Sequence, residues 1–170
     1  MKYMYLIIAV LFSFTSTAQI TKVSLQASGL TCSMCSNAIN KAIKSLDFVD
    51  KVDANIKNST FDVVIKPGST ADFDKLKKKV EDAGFFVASF TATVNFDNVT
   101  IANDTHVNIG ANAFHFLNIK NQTLTGNKTI RLLDKGFVSA KEYKKNSGLT
   151  TMACYKTGEE NGKRIFHVTI

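Results

Sequence analysis

The sequence predicts an α+β chain in which a βαββαβ two-layer sandwich over residues 19–96 precedes a smaller, mostly-β region over residues 97–170. Three observations carry this expectation. Between Ile20 and Phe96 the apolar spacing runs through alternation, a helical repeat, two further alternations, a second helical repeat and a last alternation. A pair of thiols, Cys32 and Cys35, stands where the first alternation gives way to the first helical repeat. Beyond residue 96 alternation resumes without a second Cys-x-x-Cys, so the remainder is not a repeat of the first part.

The first eighteen residues stand apart from both regions. Met1-Lys2-Tyr3 is a short positive start, Met4 to Phe14 is almost unbroken apolar sequence, and Ser16 and Ala18 form a small-residue pattern before Gln19. This reads as a secretory signal peptide, residues 1–18, cut after Ala18. The apolar stretch is shorter than the roughly 20 residues a spanning helix needs, and no Cys adjoins the cut to carry a lipid. No later stretch is apolar enough to span a membrane, so the expected mature chain is exported, periplasmic or secreted. With Lys2 removed, 20 Lys and Arg stand against 14 acidic residues, a net charge of +6 spread along the chain. The longest basic run, Lys77-Lys78-Lys79, falls on an expected amphipathic helix and reads as its solvated face, which with export argues against nucleic acid as a partner. Five Asn-x-Ser/Thr matches, at Asn58, Asn98, Asn103, Asn121 and Asn127, read as turn and strand residues if the chain is bacterial.

From Gln19 each element has its own warrant. Ile20, Val23, Leu25 and Ala27 alternate with one irregularity until Ser28-Gly29 interrupts them. Ala38, Ile39, Ala42, Ile43 and Leu46 then recur at helical spacing. Val52, Ala54 and Ile56, the turn Lys57-Asn58-Ser59, and Phe61, Val63 and Ile65 predict a hairpin. Pro67-Gly68 ends it, Ser69 or Thr70 caps a second helix through Phe73, Leu76, Val80 and Ala83, and Gly84 closes that helix. Phe85 to Phe96 returns as a strand. Two helices must then cover one face of a four-stranded antiparallel sheet, which is a ferredoxin-like arrangement.

The thiols carry the chemistry. Three positions apart at a helix start, both sulfurs meet unpaired backbone N–H groups and the positive end of the helix dipole, which favour thiolate over thiol. Two converging thiolates make a soft site that selects Cu(I), Hg(II) or Zn(II) over hard cations. Cys32 and Cys35 are therefore the expected metal ligands. Met34, between them, is expected to point outward or pack rather than ligate. With Cys154 the chain has three cysteines, an odd count that argues against a disulfide framework.

The run Gly29-Leu30-Thr31-Cys32-Ser33-Met34-Cys35 at the first strand-to-helix loop, Glu81-Asp82-Ala83-Gly84-Phe85 at the end of the second helix, and the order of elements together resemble the heavy-metal-associated domain. That family includes copper chaperones, the N-terminal repeats of copper-exporting P-type ATPases and the periplasmic mercury-binding protein. The resemblance covers about residues 20–96. It implies that Cys32 and Cys35 are the two metal thiolates, that Thr31 matches the threonine before them, that Leu30 stands where the family usually has Met, and that Phe85 shields the metal from water. Zinc-selective members resemble this motif but carry Asp at the position of Thr31. Its absence favours two-coordinate Cu(I) or Hg(II) over tetrahedral Zn(II).

For residues 97–170 the expected elements are a strand from Asn98 to Ile109, a strand from Ala113 to Ile119, a turn at Thr125-Gly126-Asn127-Lys128, a strand from Ile130 to Leu133, a short helix capped by Ser139, and a hairpin of Leu149–Thr157 with Arg164–Ile170. This order matches a five-stranded OB-like barrel, and no family motif accompanies it. Met152, Cys154, His167, His106 and His115 would form a second soft site if they met, while the plainer expectation is a buried Cys and Met beside a surface His.

Together these readings predict an exported, non-enzymatic metal-binding protein, a Cu(I) carrier or sequestration protein. It would exchange its ion with a partner protein such as a membrane transporter. A mercury scavenger would use the same dithiolate, a dithiol–disulfide redox protein would use the same cysteines without metal, and in an adhesion or assembly module the second region would dominate.

Overall fold

In the computed structural model the described residues are 19–170 except Thr31; the expected signal peptide, residues 1–18, lies outside them. The first six elements are β1 (Gln19–Ser28), α1 (Ser33–Lys44), β2 (Val49–Asn55), β3 (Thr60–Ile65), α2 (Phe73–Asp82) and β4 (Phe86–Ile101). They are followed by β5 (Thr105–Ile109), β6 (Asn112–Phe116), β7 (Gln122–Leu132), α3 (Ala140–Asn146), α4 (Cys154–Thr157), β8 (Glu159–Glu160) and β9 (Lys163–Thr169). Strands β2-β3-β1-β4 lie in that order and pair antiparallel, the sheet of a βαββαβ sandwich.

Local chemistry accounts for the departures from simple alternation. The irregular step from Ile20 to Val23 is a bulge: β1 shifts register against β4 between Ile20 and Lys22, which keeps Ile20, Val23, Leu25 and Ala27 all buried. A shift between Val49 and Lys51 brings both Val49 and Val52 to the core, while Ala54, near the open end of β2, and Ile56, past it, are exposed. Strand β2 is an edge, and one covered face asks for few apolar residues. The N-cap of α2 is Asp72, whose carboxylate accepts from the Lys75 N–H, rather than Ser69 or Thr70.

The barrel expected for residues 97–170 is absent; their strands continue the first sheet. Strand β4 runs through position 96 unbroken, pairs with β1 on one edge and with β7 on the other, and the order continues β7-β9-β6-β5. A barrel would need a free edge on β4, and β1 occupies it. The open sheet ends at β2 and β5. Thr125 to Lys128 is not a turn but the middle of β7, where Gly126 pairs with Phe96. Here β4 carries an extra residue between Phe96 and Val99, and Gly126 takes a φ of +69°, a conformation that costs glycine nothing. The turn chemistry in the sequence serves a bulge instead.

Leu149 to Thr157 also departs from expectation, forming a loop and the short helix α4 rather than a strand. The Met152 N–H donates to Thr150 Oγ1, the Thr157 hydroxyl donates to the Ala153 carbonyl, and Gly158 closes the turn at φ +76°. These side-chain bonds curl a segment whose alternation alone reads as extended. Ser139 caps α3 as expected, accepting from the Glu142 N–H.

One core joins the two regions. Phe73 of α2 meets Phe90 of β4 and Phe166 of β9 at ring-centroid distances of 5.1 Å, and Phe114 of β6 at 6.1 Å. Phe137 packs edge-on against Phe90. The Arg164 guanidinium in β9 donates through Nε to Asp74 of α2 at 2.9 Å and adds a polar tie beside this cluster. Because side chains alternate along β6 and β9, the residues next to Phe114 and Phe166, His115 and His167, face the opposite side.

Candidate metal centre

The loop between β1 and α1 is held at both ends. Gly29 takes a φ of +75°, which turns the chain out of the sheet where a residue with a Cβ would be strained. The Ser28 hydroxyl donates to the Phe86 carbonyl and the Ser59 hydroxyl to the Leu30 carbonyl. Leu30 packs against the core and anchors the loop from below.

Cys32 is the N-cap of α1, with extended backbone at φ −128° and ψ 144°, and its sulfur accepts from the Cys35 N–H at 3.2 Å. It thus does for α1 what Asp72 does for α2 and Ser139 for α3. No acidic residue lies in the first turn of α1, so the helix dipole acts on sulfur alone. The two sulfurs are 2.6 Å apart, Cys32 exposed and Cys35 half-buried. The thiol of Cys35 and then the backbone N–H at Cys35 hold the Cys32 thiol below its usual range. Cys35, as the donor to Cys32, then through burial and the charge of Cys32, is pushed the other way. The two thiols are thus pushed in opposite directions, and binding a metal displaces their protons.

Two sulfurs around one ion at about 2.3 Å each stand about 3.8 Å apart when tetrahedral and about 4.6 Å when linear. Seating a metal would require the side chains to swing apart, which the exposed Cys32 permits. Among the described residues, no His, Asp or Glu completes a three-donor cluster with these thiols. Met34 is 81 % exposed, in keeping with the outward orientation expected of it. Phe85 is partly buried against the core, and Phe86, the partner of Ser28 at the end of β1, is exposed.

The other residues singled out from sequence fall elsewhere. His106, His115, His167 and Cys154 come together on the far side of the sheet, whereas Met152 points to solvent. His167 is wholly buried, not a surface residue. Burial, then His106 and His167, hold the His115 imidazole below its usual range, and burial raises the Cys154 thiol. Sequence reasoning passed over Asp104 and Asp134, which bond His115 and His167; single aspartates in turns give no local signal.

The profile of the heavy-metal-associated domain matches residues 24–86. The mercuric transport protein periplasmic component of Pseudomonas fluorescens is 38 % identical over 63 residues, spanning 37 % of this chain and 68 % of that protein. A copper-exporting P-type ATPase of Bacillus subtilis is 27 % identical over 81 residues, 48 % of this chain, and the chain spans only 10 % of that ATPase's length. Among solved structures, oxidized MerP from Ralstonia metallidurans is 31 % identical, with 41 % of this chain and 96 % of that one covered and a TM-score of 0.37.

Proposed function

Because the chain belongs to the heavy-metal-associated domain family, we propose that it is an exported carrier that holds Cu(I) between Cys32 and Cys35 and exchanges it with a partner protein. The observation that carries this reading is the thiol pair at the α1 N-terminus, with Cys32 exposed, Cys35 half-buried and, among the described residues, no His, Asp or Glu completing a three-donor cluster with them. A two-sulfur site suits an ion content with two soft ligands, and Cu(I) is such an ion, whereas Zn(II) asks for four.

Exchange proceeds by ligand substitution. A thiolate of the partner attacks the bound ion, a three-coordinate species forms, and one of the two original sulfurs leaves, taking up a proton as it becomes a thiol. Exposure of Cys32 gives the incoming sulfur access, and the half-buried Cys35 is the last to let go. A copper-exporting ATPase among the relatives supports a membrane transporter as the partner. The relative named as a periplasmic component supports an exported location. No helix among the described residues is long and apolar enough to cross a membrane. Residues 97–170 would serve to present the site to that partner.

The mercuric relative also favours a second reading, Hg(II) capture at the same thiols. Competition separates the two. Reduced residues 19–170 are loaded with Cu(I) under a competing Cu(I) chelator, and the loaded protein is then challenged with Hg(II) or Zn(II), alongside Cys32→Ser/Cys35→Ser and Cys154→Ser. One Cu(I) retained by the wild type and by Cys154→Ser, and lost in the double variant, is the expected result. Equal retention by the double variant would remove Cys32 and Cys35 from the account. Failure to hold Cu(I) with stoichiometric Hg(II) binding would replace copper by mercury.

A further inference from the structure

The three histidines of the chain stand side by side on three neighbouring strands. His106 of β5 is the cross-strand partner of His115 of β6, and His115 is the partner of His167 of β9. Cys154, the first residue of α4, lies over this row. Its Sγ is 3.7 Å from His106 Nε2, 3.6 Å from His115 Nδ1 and 3.4 Å from His167 Nε2.

Each imidazole meets a different carboxylate at its second nitrogen. His115 Nε2 is 2.9 Å from Asp104, His167 Nδ1 is 2.9 Å from Asp134, and His106 Nδ1 is 3.5 Å from Glu160. A carboxylate can only accept, so these contacts place the ring N–H groups on the carboxylate side and turn three lone pairs toward one sulfur. A thiol has one proton to offer. At least two of the three lone pairs then have no donor, in a cluster where Cys154, His115 and His167 are all buried. Three imidazolium ions packed against one another would be the other way to fill the sites, at a large electrostatic cost in a buried setting. A single cation at the focus satisfies all four groups at once.

The sulfur–nitrogen spacing fits such an ion. With metal–sulfur and metal–nitrogen bonds of about 2.3 and 2.05 Å, tetrahedral coordination sets sulfur and nitrogen about 3.6 Å apart, and the three separations here run from 3.4 to 3.7 Å. The donor atoms of His106, His115 and Cys154 all lie within 4.8 Å of one another; His167, whose Nε2 is 3.4 Å from the same sulfur, stands outside that trio and must close in to become the fourth donor. Carboxylates behind ligating histidines are the usual means of fixing tautomer and ring orientation at metal sites.

We propose that His106, His115, His167 and Cys154 form a second metal site, separate from Cys32 and Cys35, for a tetrahedral divalent ion of borderline softness, with Zn(II) the reference ion. Three imidazoles and one thiolate are harder than two thiolates, which directs this site to a different ion class from the first. The His106 side chain is 27 % exposed while its two neighbours are closed off, so the ion enters at the β5 edge past His106 and Glu160. The metal replaces the Cys154 proton, and the carboxylates offset the remaining charge.

The test uses residues 19–170 carrying Cys32→Ser/Cys35→Ser, so its outcome does not depend on the first site. Zn(II) is expected to remain at one ion per chain after buffer exchange. Co(II) in its place is expected to give intense visible bands of a tetrahedral ion together with a near-ultraviolet thiolate-to-cobalt charge-transfer band. Adding Cys154→Ser should abolish the charge-transfer band. Adding Asp104→Asn, at a half-exposed position outside the core, should weaken Zn(II) binding by about 10- to 100-fold while leaving that band in place at saturating Co(II). A chain with native circular dichroism that retains no stoichiometric Zn(II), or that binds Co(II) without the charge-transfer band, would overturn the proposal. Cu(I) or Hg(II) held at these residues to the exclusion of Zn(II) would overturn the ion class.

Discussion

Phe73→Ala is expected to destabilise residues 19–170 by about 3–5 kcal/mol and to do so in one transition that takes both regions down together. The ring is fully buried and touches aromatic side chains of β4, β6 and β9. Its removal leaves a cavity at the junction where α2, an element of the βαββαβ unit, covers strands contributed by the later residues. Unfolding in denaturant can be followed by far-ultraviolet circular dichroism for the whole chain and by tyrosine fluorescence. Beyond residue 18 the tyrosines are Tyr143 and Tyr155, both in the later region. Coincident curves shifted by the stated amount are the prediction. Separate transitions, or a loss below about 1 kcal/mol for so well buried a ring, would show that the two regions do not share a core.

Asp134→Ala is expected to cost about 3–5 kcal/mol as well, by a different mechanism. The carboxylate is buried, and it accepts from the His167 backbone N–H at 2.8 Å, from His167 Nδ1 at 2.9 Å and from Arg164 Nη1 at 3.4 Å. Truncation strands the two His167 donors where water does not reach and leaves Arg164 with Asp74 as its remaining carboxylate. Asp134→Asn keeps the volume and one acceptor oxygen and should lose about 1–3 kcal/mol. Denaturation midpoints of the two variants, taken without metal, check the order. Equal stability of Asp134→Ala and wild type would mean that the carboxylate is not holding β9 to the end of β7.

The parts of this protein that were legible in its sequence are those decided locally. The βαββαβ order followed from apolar spacing. The meeting of Cys32 and Cys35 at the start of α1 followed from their three-residue spacing where the alternation gives way to a helical repeat. The sandwich pattern survived three register shifts because the buried residues of β1 from Val23 onward and of β3 still alternate. Beyond residue 96 the sequence signals were true but ambiguous. Gly126 marked a backbone needing positive φ, which a turn and a bulge both require, and the partner that decides between them, Phe96, is thirty residues away. Leu149 to Thr157 alternates like a strand, and only the hydroxyls of Thr150 and Thr157 bonding their own backbone explain why it curls.

The histidine row was hidden for a related reason. His106 and His115 are brought together by a local hairpin, but His167 joins them through the parallel pairing of β6 with β9, across some fifty residues. Cys154 reaches the row only because its segment is helical rather than extended. The expectation of an OB-like barrel failed on the same kind of fact: the second edge of β4 was already taken by β1, and nothing in residues 97–170 records that.

The central claim, that a two-coordinate soft ion sits between Cys32 and Cys35, is tested most directly by copper K-edge X-ray absorption. The sample is reduced residues 19–170 with Cys154→Ser, loaded with one equivalent of Cu(I). The account predicts two sulfur neighbours and no nitrogen in the first coordination sphere, with the signal lost when Cys32→Ser/Cys35→Ser is added. A sphere dominated by nitrogen, or one unchanged by loss of the two thiols, would contradict it.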